Sequence, residues 1–313
     1  MSKFRRRIAV LCAGILTSGS VLVGQAAAAP LFPGGPEIPE LPQLPELPGL
    51  VLPELPPPPL PEIPQLNLPG VPAQPQVGPA NFSAPSISPA SGEVVGVAQP
   101  IAIRFSAPID DRGVAERAIE VTTTPKVDGS FYWINNSQVR WKPHEFWPAH
   151  TQVTVNAGGS HSSFTIGEAV VAVADNNTKQ ITVTRNGVVV KTMPTSFGKP
   201  GYDTPNGTYI VGEQRRDMYM DSSTYGVPVD APEGYRTYVE YATRISYSGI
   251  FVHAAPWSLA DQGHRNVSHG CLNVSTEDGR WFFENVGRGD AVIVQNTAGG
   301  VLSGSDGLGD WNR

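Results

Sequence analysis

Between residues 31 and 80 the chain places 17 of its 31 prolines and not one lysine or arginine. This limits the fold more than any other feature, because each proline fixes φ and removes a backbone donor, which excludes helix interiors and central sheet strands alike. The beat is close to three residues: Pro36-Glu37-Ile38-Pro39-Glu40-Leu41-Pro42, then Pro45-Glu46-Leu47-Pro48, then Pro61-Glu62-Ile63-Pro64. Polyproline II turns every three residues and would align the prolines along one edge. At roughly 3.1 Å per residue the stretch would reach on the order of 150 Å. Residues 30–80 are therefore expected to be a Pro-rich linker that packs no core. A disordered tail without a partner and a spacer holding a folded head away from its anchoring point both remain open.

Upstream, Lys3, Arg5, Arg6 and Arg7 precede the mostly apolar run Ile8 to Val23 and the small residues Ala26-Ala27-Ala28-Ala29. This is the order of a signal peptide, residues 1–29, cleaved near Ala28-Ala29. The apolar run falls short of the about 20 residues a bilayer span needs. The protein is expected to be exported, to the cell wall, the periplasmic space or the medium. The whole chain has 22 basic and 28 acidic residues, and the leader takes four of the basic ones, so the net charge falls from -6 to -10. So acidic a chain, with no basic run left, is not expected to bind nucleic acid or anionic lipid. Of its two cysteines Cys12 lies in the leader, so Cys271 is left alone, a free thiol in an oxidising compartment.

Residues 81–166 alternate apolar and polar positions, as in Ile101-Ala102-Ile103-Arg104-Phe105, Gln138-Val139-Arg140-Trp141 and Gln152-Val153-Thr154-Val155, with Pro, Gly and Asn/Asp between them. The pattern predicts a small antiparallel sandwich of immunoglobulin type without its cysteine pair. His144, His150 and His161 are scattered in it and form no constellation. In residues 167–297 the strands lengthen. Asn186-Gly187, between Gln180–Thr184 and Val188–Val190, predicts a type I′ hairpin, and Asn206-Gly207 a second turn. One helix is expected, Ser275 to Val286, capped by Ser275 or Thr276. The fold class is thus mainly β, two β-rich domains with a short helix, followed by a Gly- and Asp-rich tail at 298–313.

The segment Ser268-His269-Gly270-Cys271-Leu272-Asn273 carries the chemistry. A cysteine nucleophile needs a base or an electropositive setting, and backbone amides able to face an oxyanion. His269 is two residues away, Gly270 and Cys271 offer amides, and the expected helix, placed just after Cys271, would favour a thiolate through its N-terminal dipole. His253 ends the β-rich run Ile250-Phe251-Val252. On composition alone, His253, His264, His269 and Cys271 would also make a zinc site.

His253, a gap of fourteen residues, then Ser268-His269-Gly270-Cys271-Leu272-Asn273 resembles the signature of the L,D-transpeptidases with a YkuD-type catalytic domain. Met220 to Gly226, Gly234-Tyr235-Arg236 and Phe251 to Trp257 extend the likeness to mycobacterial and corynebacterial members, which place an immunoglobulin-like domain before a YkuD-type β-sandwich. The resemblance implies an acyltransferase that needs no cofactor or metal and acts as a monomer. Its partners would be peptidoglycan stems, a tetrapeptide donor and a diaminopimelate acceptor joined 3→3, and carbapenem β-lactams would acylate it. Cys271 would be nucleophile, His253 base, and His269 a shaping residue. Gly270 and Cys271 amides with the Tyr235 hydroxyl would form the oxyanion hole, and Asn273 would fix the Cys271 loop. Residues 213 to 240 would form a lid, with Met220, Tyr235 and Trp257 contacting substrate. Relatives often carry serine after the catalytic histidine; here it is Ala254, whose backbone carbonyl would orient His253 instead. A carboxypeptidase that hydrolyses the same thioenzyme and a non-catalytic wall-binding protein are the alternatives. The tail Gly299 to Arg313 leaves packing on the first domain and disorder both open.

Overall fold

The computed structural model describes residues 78–313. The expected leader and nearly all of the expected linker lie outside the described residues. Nine elements build the first domain: β1 (Ser86–Ser88), β2 (Val94–Val95), β3 (Ile101–Arg104), α1 (Arg112–Arg117), β4 (Ile119–Thr124), β5 (Gly129–Asn135), β6 (Gln138–Pro143), β7 (Gln152–Ala157) and β8 (Ser160–Ile166). They form two four-stranded sheets, ordered β1-β3-β6-β5 and β2-β8-β7-β4. The period-two residues Ile101, Ile103, Val139, Trp141, Val153, Val155, Phe164 and Ile166 all fall in one buried core. Each such side chain contributes about 1.5–3 kcal/mol on burial. The short helix α1 has no sequence periodicity to announce it; Asp111 caps it by accepting from the Val114 amide.

The second domain comprises β9 (Val170–Asp175), β10 (Gln180–Arg185), β11 (Val188–Pro194), β12 (Gly207–Ile210), β13 (Gln214–Asp221), β14 (Arg236–Arg244), β15 (Phe251–Ala254), β16 (Leu272–Val274), α2 (Thr276–Asn285) and β17 (Ala291–Gln295). A five-stranded sheet β11-β10-β9-β17-β12 and a four-stranded sheet β13-β14-β15-β16 enclose, with Phe282 of α2, the second core. Asn186 and Gly187 both have positive φ, 51° and 80°, as the β10–β11 turn requires. After Asn206-Gly207 the chain enters a strand, β12, whose partner is the distant β17. Helix α2 begins as expected, with Ser275 Oγ accepting from the Asp278 amide at 3.0 Å.

The two domains are joined through backbone. Gly96 N–H donates to Arg288 O (2.8 Å) and Ala98 N–H to Gly289 O (2.9 Å). A Cβ on Gly96 would stand 2.1 Å from the Asp290 nitrogen, so only glycine permits this approach. The tail packs on the first domain. Trp311 Nε1 donates to Ala98 O (2.8 Å) and its ring meets Phe146 edge-on, while Asp310 is buried against Arg140 and Tyr132.

Candidate active site

The site is written in the alternation of two short strands. In Phe251-Val252-His253-Ala254 the even positions enter the main core or pack on α2, and so do Leu272 and Val274 of β16. The odd positions Phe251, His253, Cys271 and Asn273 therefore face the other way. β15 and β16 pair in parallel, His253 opposite Asn273. Side chains two apart in a strand, and those directly paired across strands, share a face, so this register gathers thiol, imidazole and carboxamide at one cleft. The cleft is lined by Met220, Tyr235, Thr237, Val239, His253, Trp257, Val267, Ser268, His269, Cys271 and Asn273.

His253 is 3% exposed and its Nδ1 lies 2.8 Å from the Ala254 carbonyl. A carbonyl only accepts, so Nδ1 carries the proton and Nε2 is left as the acceptor. Burial pushes the imidazole down to about 4, against the pull of that hydrogen bond. Cys271 is partly accessible at its surface, yet burial pushes its thiol up to about 11, with the Phe251 amide acting in the opposite sense. Its sulfur lies 3.8 Å from Gly249 O. The resting pair is thiol and neutral imidazole. The expected thiolate at a helix N-terminus is corrected here: β16 intervenes, and the amide end of α2 is held by Ser275 at the far end of that strand.

Gly270 has a φ of 115°, which a side chain rarely tolerates. Its N–H donates to Ser268 Oγ (3.1 Å), Ser268 Oγ donates to Cys271 O (2.7 Å), and Thr204 Oγ1 donates to Gly270 O (2.9 Å). The Gly270 amide, expected as an oxyanion donor, is here engaged by Ser268 Oγ inside the turn. Ser268 and Thr204 bond directly to the Cys271 loop. Asn273 donates from Nδ2 to Ser258 Oγ (3.3 Å), and its backbone, on the strand that follows Cys271, bonds Ser196. Tyr235 lines the opposite wall; burial first, then Tyr225 and Cys271, raise its hydroxyl, which stays protonated and able to donate. Met220, nearly buried, packs with Val239, Ala242 and Phe251 on the β13–β14 ribbon that forms this wall. Trp257 is 55% exposed on the other rim, its ring centroid 6.1 Å from that of His253.

A family model described as the L,D-transpeptidase catalytic domain (YkuD) matches residues 169–294, and one described as a bacterial Ig domain matches residues 76–159. L,D-transpeptidase 2 of Mycobacterium tuberculosis is 56% identical over 248 residues, 75% of this chain and 61% of that protein. L,D-transpeptidase 1 of the same species is 43% identical over 223 residues, 71% of this chain and 87% of that protein. The chain belongs to the L,D-transpeptidase family. Among solved structures, an L,D-transpeptidase in complex with imipenem superposes with a TM-score of 0.66 at 42% identity, covering 68% of this chain and all of that one. A Mycobacterium smegmatis L,D-transpeptidase gives 0.63 at 41%, covering 68% and 99%.

In this L,D-transpeptidase His269 sits on the rim, between the rings of Tyr202 and Tyr235. Its Nε2 meets Glu233 at 3.0 Å, and Glu233 also pairs with Lys199 at 2.5 Å. Sequence reasoning missed Glu233, Lys199, Tyr202 and Thr204. They come from loops far from the motif and carry no periodicity; only the fold brings them in. His264, offered with the others as a zinc ligand, is exposed in the crossover loop, and among the described residues no three His, Cys, Asp or Glu side chains converge to hold a metal.

Proposed function

We propose that the protein is an exported peptidoglycan L,D-transpeptidase that works through a Cys271 thioester. The observation that carries the reading is the parallel register placing Cys271 and His253 on one face, with Nδ1 of His253 tied to the Ala254 carbonyl. Cys271 Sγ attacks the carbonyl of the third residue of a tetrapeptide stem as its proton passes to His253 Nε2. Because thiol and imidazole are both neutral at rest, the transfer accompanies attack. The Tyr235 hydroxyl donates to the oxyanion. The C–N bond to D-alanine breaks, and His253 returns the proton to the leaving amine. A diaminopimelate amine on a second stem then attacks the thioester, gives its proton to His253, and releases Cys271 with a 3→3 link formed. Met220 and Trp257 bound the space for the stems.

Hydrolysis of the same thioester is the second reading, favoured by nothing in the geometry of acylation. Carbapenems would acylate the same sulfur, a reading supported by the relative whose structure holds imipenem. The leader would export the enzyme and the linker would extend it from its anchoring point. The test is mass spectrometry after incubation with purified disaccharide tetrapeptide. A Cys271 adduct with loss of D-alanine and a cross-linked dimer support the proposal; no adduct on an intact, folded enzyme refutes it.

A further inference from the structure

Six buried side-chain polar atoms among the described residues lack a hydrogen-bond partner, and Asn273 Oδ1 is the one that belongs to a residue lining this cleft. Its orientation is fixed by its neighbours. Ser258 Oγ donates to Ala255 O (3.2 Å), so it can only accept from Asn273, which places Nδ2 there and leaves Oδ1 as the free end. Gln262 Nε2 approaches the same Oγ at 3.3 Å and also Ala255 O at 3.0 Å, closing that side. Asn273 is 3% exposed and is paired with His253 across the β15–β16 ladder, so its side chain shares the face of the sheet that carries the imidazole. A buried acceptor without a partner is costly, and the neighbouring groups do not relieve it. The Ser268 hydroxyl serves the Gly270 turn and His269 faces Glu233.

We propose that Asn273 Oδ1 holds the incoming amine of the acceptor stem at His253, and so biases the thioester towards transfer over hydrolysis. The inference rests on the proposed thioester chemistry. As the amine nitrogen bonds to the thioester carbon it becomes positively charged and keeps two N–H groups. One proton goes to His253 Nε2; the other needs an acceptor, and Asn273 Oδ1 supplies it without adding charge. Such a bond is charge-assisted and strong. Water loses its proton as it attacks, so the remaining O–H makes only an ordinary bond to the same oxygen. The gap between the two kinds of bond corresponds to about tenfold in rate.

The experiment follows the fate of the acyl-enzyme in the full chain, with purified disaccharide tetrapeptide as donor and acceptor, and reads the ratio of dimer to hydrolysed tripeptide by mass spectrometry. Per acyl-enzyme formed, this ratio does not depend on how fast acylation occurs. Asn273→Ala is expected to lower it about tenfold, while Asn273→Asp, which keeps an acceptor, retains it. Ser258→Ala, which removes the structural partner of Nδ2 but leaves Oδ1, is expected to keep it within twofold. An unchanged ratio in Asn273→Ala overturns the inference. So does an equal fall in Ser258→Ala, which would mark the effect as structural. Should the alanine variant fail to fold, a tenfold fall in Asn273→Asp overturns it as well. Absence of any Cys271 adduct in the wild-type chain would instead sink the thioester reading itself.

Discussion

Ala254→Ser tests whether the backbone alone orients His253. Residue 254 is 1% exposed and lies on the opposite face of β15 from the imidazole. Its side chain points at helix α2: a Cβ on Gly279 would stand 3.2 Å from Ala254 Cβ and 3.0 Å from its nitrogen. A serine hydroxyl there would enter the α2 contact, away from the Nδ1–Ala254 carbonyl bond of 2.8 Å. Acylation is therefore expected to change by less than about threefold, under about 1 kcal/mol in barrier. Stability should suffer more, because a buried hydroxyl without a partner costs about 1–3 kcal/mol, or several degrees in Tm at roughly 2–4 °C per kcal/mol for a chain of this size. The assay is single-turnover formation of the imipenem adduct on Cys271 against pH, alongside thermal unfolding. His253→Ala serves as control and is expected to lose roughly 10² to 10⁴ in rate. A tenfold gain from serine, or a shift of the acidic limb, would refute the carbonyl argument and show that a hydroxyl normally supports the imidazolium.

Cys271→Ala should abolish acyl transfer while the chain still folds, and Cys271→Ser should be almost as inactive because a hydroxyl ionises far less readily; turnover in the alanine variant would sink the mechanism. Alkylation of resting enzyme by iodoacetamide should keep accelerating up to about pH 11, since the thiol is raised by burial; a plateau below pH 8 would show a preformed thiolate. His253, lowered to about 4, should place the acidic limb of acylation near pH 4. Its unfolded form titrates near 6.5, so stability holds above that value and declines as pH falls towards 4, by about 3 kcal/mol in all; His253→Gln should flatten that slope. Asp310→Ala leaves the buried Arg140 uncompensated and should cost about 3–5 kcal/mol in unfolding free energy. A fragment from residue 168 should still acylate at Cys271 but unfold earlier, because it exposes Trp311 and the surface that meets Ala98.

The sheets were legible because their signal is local. Ile101/Ile103 and Val153/Val155 enter the core on the predicted period, and Asn186-Gly187 has the backbone its turn demands. Cys271, His253 and Asn273 were legible through the motif and its resemblance. Their environment was not. Whether Cys271 meets a helix or a strand depends on three residues, Leu272 to Val274, too few for periodicity to decide; the parallel partner β15 made them a strand. The engaged Gly270 amide depends on Ser268 turning inward, and the Glu233–His269 contact spans 36 positions in the chain. Helix α1 was missed because six residues carry less than two turns of pattern.

The β15–β16 register has a consequence for insertions and deletions. The crossover from Pro256 to Val267 is anchored by buried Ser258 and Gln262 but comes to the surface at His264 and Arg265, where an added residue or two costs little closure entropy. Between Cys271 and Asn273 no such freedom exists. One added residue there would turn the thiol or the carboxamide through the sheet and into the hydrophobic interior. Library design on this scaffold can therefore vary loop length at the exposed His264–Arg265 end of the crossover, and should hold every spacing fixed between Cys271 and Asn273.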